Sequence, residues 1–197
     1  MKKIKSYLIT DPLYYNSFEE FCLYLESIYQ TYHVDYACFR DKSNNKNLEK
    51  FALEFLKISQ KYNIGKTLIN THIDLALKLG FWGVHLNSTQ FDMISYTNEH
   101  NLATIVSTHS IKEALKAEKK GAYAITFSPI FKTSNKPNPK GVDALKQLCD
   151  IINIKCFALG GIISQKEINE CKKINIYGFA SIRYFYDTIR DSKLAKE

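Results

Sequence analysis

Short apolar runs alternate with longer amphipathic stretches along the whole chain. The runs predict strands at Ser6–Thr10, Tyr36–Arg40, Thr67–Asn70, Gly83–Leu86, Ala103–Ser107, Ala122–Phe127, Lys155–Leu159 and Gly178–Ile182. They lack strict two-residue alternation, as expected of parallel strands covered on both faces. Between them lie stretches with helical spacing. Phe18–Tyr29 carries Phe18, Phe21, Cys22, Leu25, Ile28 and Tyr29 on one stripe, and Leu48–Gln60 carries Phe51, Leu53, Phe55, Leu56 and Ile58. Ser110 followed by Glu113, and Ser164 followed by Glu167, have capping-box spacing, in which hydroxyl and carboxylate each satisfy a backbone N–H at a helix start. Val142–Ile151 and Phe185–Lys196 are further helices, and another starts near His72.

Eight strands alternating with about eight helices leave a closed barrel or an open doubly wound sheet. The regular cycle of about 20–25 residues favours an α/β fold of one (β/α)8 TIM barrel. No linker or shift in composition divides the chain, so residues 1–197 read as a single domain. The one long loop, Ser128–Lys140 with Pro129, Pro137 and Pro139, is of the length that is functional or disordered in compact domains.

Composition changes this picture little. The chain has 197 residues, 45% hydrophobic and 24% charged, which suits a soluble globular protein. No apolar run approaches the roughly 20 residues of a membrane-spanning helix. Met1–Thr10 lacks the apolar stretch of a signal peptide, so a cytoplasmic location is expected. The five cysteines are odd in number and form no C-x-x-C pair, so reduced thiols packed in the core are expected. The net charge of +7 calls for anionic partners. Its lysines are dispersed, which argues against nucleic acid and membrane and for small phosphorylated molecules. A homo-oligomer stays open.

In such a barrel the loops after the strands build the site. The polar residues falling there are Thr10, Asp11, Arg40, Lys42, Asn70, Ser107, His109, Thr133, Lys136, Gly160, Gly161 and Arg183. Arginine offers a fork for phosphate oxygens and lysine a mobile point charge. Gly160–Gly161 lets backbone N–H groups approach an anion. Together they describe a phosphate or pyrophosphate pocket. His109 faces that pocket, His85 reads as a satisfied lining residue, and His33 and His100 fall on the opposite face. No His, Cys and carboxylate set has metal-ligand spacing, so no metal residues are assigned.

The order of motifs resembles the thiamine phosphate synthase superfamily, which includes the thiazole tautomerases. The pieces are Tyr7-Leu-Ile-Thr-Asp11, Phe39-Arg-Asp-Lys42, Leu68-Ile-Asn70, Gly83-Val-His-Leu86, Ser107-Thr-His-Ser110, Pro129-Ile-Phe-Lys-Thr133 with Lys136, and Ala158-Leu-Gly-Gly-Ile162. The resemblance implies a (β/α)8 barrel that condenses aminomethylpyrimidine pyrophosphate with hydroxyethylthiazole phosphate and releases pyrophosphate. It matches Arg40, Lys42, Asn70 and Lys136 to pyrophosphate ligands, Lys136 also counting with Ser107 and His109 as catalytic. It matches Thr133 to the thiazole side, Ser107 to a serine near the reacting groups, and Gly161 to a backbone donor for the thiazole phosphate.

The departures are as specific. The synthases hold Mg²⁺ with two aspartates, and those positions are Thr71 and Gln90 here; Asp92 would substitute only if its loop shifts. Cys38 replaces a pyrimidine-reading Gln, Asn135 a threonine and Arg183 a phosphate-loop serine. Mg²⁺ is thus a cofactor implied by resemblance whose usual ligands are missing. The tautomerase histidine aligns at Pro129, with His109 as a replacement able to transfer protons near neutral pH. Three readings remain: a synthase, a tautomerase acting on thiazole carboxylate phosphate, and a non-catalytic binder of thiazole or thiamine phosphate.

Overall fold

A computed structural model describes residues 3–43, 46–133 and 137–187. Eight strands form a closed parallel barrel in chain order: β1 (Lys5–Ile9), β2 (Tyr36–Phe39), β3 (Thr67–Asn70), β4 (Gly83–Leu86), β5 (Ala103–Thr108), β6 (Ala124–Phe127), β7 (Lys155–Leu159) and β8 (Gly178–Ser181). β8 returns to β1 with Lys5 opposite Gly178 and Tyr7 opposite Ala180. A helix follows each of the first seven strands: α1 (Phe18–Thr31), α2 (Leu48–Lys61), α3 (Ile73–Leu79), α4 (Met93–Glu99), α5 (Ile111–Lys119), α6 (Gly141–Ile151) and α7 (Gln165–Lys172). A short 3-10 turn at Pro12–Tyr14 precedes α1.

The strands bury both faces, but the faces do different jobs. Tyr7, Tyr36, Cys38, Leu68, Ile105, Ala124, Phe157 and Ala180 point to the barrel axis and pack on one another. Their neighbours Leu8, Ala37, Phe39, Ile69, Val84, Leu86, Val106 and Ile125 pack outward against the helices. Alternation is therefore present in direction and hidden in hydrophobicity.

Strand ends differ from the sequence reading by a residue or two. Thr10 and Arg40 lie just past their strands, where the Thr10 hydroxyl clips the Arg40 backbone. β6 starts at Ala124 because Tyr123 turns under the barrel. The helix expected at Phe185–Lys196 starts earlier, at residue 183; its part beyond residue 187 lies outside the described residues. α4 was not singled out because only Ile94 and Thr97 on it are buried, too few to mark a stripe. The box at Ser164 is complete. At Ser110 the hydroxyl caps Glu113 N–H, but the Glu113 carboxylate takes the N–H of His109 instead of Ser110.

The base of the barrel, at the strand N-termini, is sealed by aromatics. Tyr36 Oη lies 2.9 Å from Tyr123 Oη and 2.6 Å from Tyr177 Oη, and Lys66 Nζ donates to it at 3.1 Å. Lys155 sits 4.0 Å above the Tyr123 ring, Phe157 packs 5.1 Å from Tyr36, and Trp82 stands edge-on to Tyr123.

Candidate active site

The opposite rim is built from the first residues after each strand. Register carries Asp11 beside Arg40, and Arg40 beside Asn70, by extending the β1–β2 and β2–β3 pairings. The alternation that turns Cys38 and Leu68 inward puts Arg40, Asn70 and Ser107 on the axis side too. Arg40 is fixed twice. Thr10 Oγ1 accepts its N–H at 2.8 Å and donates to its carbonyl at 3.1 Å, and Asp11 Oδ2 takes one terminal guanidinium nitrogen at 2.6 Å. A guanidinium has five N–H donors, so a pre-oriented fork still has donors for an anion.

Below Arg40 a buried polar line crosses the barrel. His85 Nδ1 is 2.8 Å from Tyr7 Oη, and His85 Nε2 is 2.9 Å from Ser107 Oγ. Burial, and secondly the Arg40 charge, push the His85 pKa down to about 3. The ring is neutral, so its single N–H serves one hydroxyl and the other hydroxyl must donate to it. Burial likewise pushes the Cys38 thiol up to about 12, so that side chain stays a neutral neighbour of Tyr7. Ser107 thus has a fixed hydroxyl on an uncharged support.

Thr71 and Gln90 meet each other. Gln90 Nε2 donates to the Thr71 carbonyl at 3.4 Å, and Gln90 Oε1 accepts Asn87 N–H at 3.2 Å. Thr71 Oγ1 donates to the Asn70 carbonyl at 2.7 Å. Thr71 is left-handed, with φ of 64°, a strained conformation for a β-branched residue. Asp92 is turned away: its side chain is 87% exposed and pairs with Lys120 at 2.9 Å. Mg²⁺ needs an oxygen-rich shell with a carboxylate or two. A neutral, mutually engaged pair and an outward aspartate do not fit it. Among the described residues no cluster of three His, Cys, Asp or Glu could hold a metal.

The far side of the rim is set by glycines. Gly160 and Gly161 have φ of 95° and 72°, and a Cβ on Gly161 would lie 2.6 Å from the Lys132 carbonyl oxygen. Both therefore let the loop after β6 lie against the loop after β7. Ile130 N–H donates to Leu159 O, and Phe131 N–H to Gly160 O, each at 3.0 Å. Loop packing requires both glycines, and it engages the Gly160 carbonyl rather than the N–H groups expected to contact an anion. His109 is exposed at the end of β5, its Nδ1 3.1 Å from the Ser128 carbonyl. Arg183 is half-buried in the first turn after β8, where Ser181 Oγ accepts Tyr184 N–H at 3.1 Å. Lys42 is exposed and Thr133 half-buried in their loops. Lys136 and Asn135 lie outside the described residues.

The structure thus places Arg40, Lys42, Asn70, Ser107, His109, Thr133, Gly160, Gly161 and Arg183 at one end of the barrel. What ties them down are residues the sequence reading gave no role or a lesser one: Asp11, His85, Tyr7, Ser128 and Gln90. Inward parity at His85, two positions past inward-facing Gly83, was the signal available for the central one.

Fold and rim define a class, the β/α barrels that bind at the C-terminal ends of their strands. Within it, the model of the thiamine monophosphate synthase family matches residues 6–185, and the chain belongs to that family. An Aquifex aeolicus (strain VF5) protein provisionally named thiamine-phosphate synthase 2 is 38% identical over 192 residues, covering 95% of this chain and 100% of its own. A thiamine-phosphate synthase of Clostridium tetani (strain Massachusetts / E88) is 29% identical over 148 residues, covering 73% of this chain and 70% of its own. The solved thiamine phosphate pyrophosphorylase of Pyrococcus furiosus superposes with a TM-score of 0.77 at 25% identity, covering 95% of this chain and 94% of that one. The chain therefore belongs to thiamine biosynthesis. None of its described helices is long and apolar enough to cross a membrane.

Proposed function

We propose that the chain, acting as one unit, is a transferase that joins aminomethylpyrimidine pyrophosphate to hydroxyethylthiazole phosphate. The observation that carries this reading is Arg40, held by Thr10 and Asp11 at the end of β2 with guanidinium donors to spare. In the reaction the bond from the pyrimidine methylene carbon to the pyrophosphate oxygen breaks, and the electron pair leaves with pyrophosphate. The thiazole nitrogen then gives its lone pair to that carbon, forming the C–N bond. Stabilising the departing charge is the main task. Arg40, Lys42 and Lys136 supply positive charge for it, and the Asn70 amide supplies a donor. Ser107, steadied by His85, orients the reacting groups. Thr133, Arg183 and the Gly160–Gly161 turn hold the thiazole phosphate end. No step is assigned to Mg²⁺, because Thr71 and Gln90 supply no charge.

Pyrophosphate release from the two substrates, followed by an enzyme-coupled assay, tests the reading. Turnover that persists in a chelator and falls in Arg40→Ala is expected. Absence of any pyrophosphate at high enzyme concentration overturns it.

One observation favours a second reading. Ser128 anchors the His109 ring at Nδ1, with its carbonyl at 3.1 Å and its Oγ at 3.2 Å, and so fixes at the rim a side chain able to transfer protons. Proton exchange into thiazole carboxylate phosphate, abolished in His109→Ala, would establish that activity in place of condensation.

A further inference from the structure

A cleft lies at the base of the barrel. It has a volume of about 390 Å³ and opens between the α6–β7 and α7–β8 connections. Lys3, Lys5 and Lys155 line it together with Tyr177, and two cysteines form part of its wall. Cys149 is half-buried in the last turns of α6, and Cys156 is buried in β7. Both line the same cleft, across the α6–β7 connection. The neighbouring thiol lowers the Cys149 pKa against burial and the nearby Asp150, and raises that of Cys156, which burial raises further. Asp150 itself is paired with Lys146 at 2.9 Å. Cys22, on α1, is also half-buried, but burial and three carboxylates, Glu54, Glu19 and Glu26, raise its pKa. Two thiols of similar accessibility therefore sit in opposite electrostatic settings.

We propose that Cys149 and Cys156 form a dithiol site that low-molecular-weight disulfides oxidise through the basal cleft. The Cys149 thiolate attacks one sulfur of the reagent, releasing a thiolate and leaving a mixed disulfide on Cys149. Cys156 then loses its proton to water and attacks the Cys149 sulfur, expelling the second reagent thiol. The two protein thiols give up two electrons, and the reagent disulfide is reduced to two thiols. The lysines favour an anionic reagent, of which glutathione disulfide, with its carboxylates, is the natural probe.

Trypsin separates the two cysteines at Lys155, giving peptides 147–155 and 156–166. The test treats the whole native protein with glutathione disulfide, blocks remaining thiols and maps peptides without reduction. The expected result is a disulfide-linked pair of these two peptides, formed before any adduct on Cys22 and lost in Cys149→Ser. Alkylation of both cysteines after oxidation, prior reaction of Cys22, or a Cys149–Cys171 link that Cys171→Ser removes would each overturn the proposal. A Lys3→Gln variant separates charge from access. Its oxidation slows with glutathione disulfide and is unchanged with the neutral hydroxyethyl disulfide; equal rates with both would remove the lysines from the proposal.

Discussion

The two ends of this barrel draw on the same residue types and use them in opposite ways. At the base, cations and hydroxyls are packed into an aromatic plug, and only at its outer edge do lysines face a cleft. Lys66 donates to Tyr36, Lys155 covers Tyr123, and Lys5 holds Asp35 at 2.7 Å. At the C-terminal rim, Asp11 takes one nitrogen of Arg40, and the ring beneath it is a neutral imidazole. The difference lies in what the charged groups face: aromatic rings and tyrosine hydroxyls that stabilise the base, or, at the rim, spare guanidinium donors on a rigid support, which make a binding surface.

The largest effect expected is at the base. Phe157 is fully buried against Tyr7, Tyr36 and Tyr177. Phe157→Ala should cost about 3–5 kcal/mol in urea denaturation. A loss below about 1 kcal/mol would mean the base relaxes and is no rigid plug.

Next comes the acid sensitivity of the middle layer. His85 has its pKa at about 3 in the fold against an ordinary 6.5, so the unfolded chain binds the proton more readily between those values. Its contribution is intact above pH 6.5 and is lost as pH falls toward 3. The slope is at most about 1.4 kcal/mol per pH unit. Denaturation at several pH values should show it, and His85→Gln should flatten it. An unchanged slope would place the acid sensitivity elsewhere.

At the rim, Arg40→Ala should weaken inorganic pyrophosphate binding by about 1.5–3 kcal/mol, the range for hydrogen bonds to charged groups. Calorimetric titration reads that change. Stability should move by less than about 1 kcal/mol, as for an isolated partly exposed pair. Equal losses in both would make Arg40 part of the scaffold. The smallest effect is Tyr36→Phe, expected to cost about 1 kcal/mol of stability. Pyrophosphate affinity should not change; a change would couple the two ends.

Much of the fold was legible because a β/α cycle writes itself into hydrophobicity. Each short run became a strand, and Ser164–Glu167 became a complete cap. Local pattern, however, cannot report which distant residues meet. Tyr7 and His85 are 78 positions apart, and the Tyr36–Tyr177 contact spans 141. The Gln90–Thr71 contact spans 19 residues and appears only once β3 and β4 are paired. Gly160–Gly161 showed its backbone freedom in the sequence, while the neighbouring loop that requires it did not show. The rim residues themselves were readable, since strand ends are local; the residues that hold them in place were not.

The seam between β1 and β8 sets the order in which the molecule can be finished during synthesis. Lys5–Leu8 pair with Gly178–Ser181, so the first strand of the barrel to be made waits for the last. Until residue 181 has emerged, β1 and β7 each present an open edge. A nascent chain halted before Gly178 has every other strand of the barrel and no way to close it, and such a chain is a natural client for chaperones.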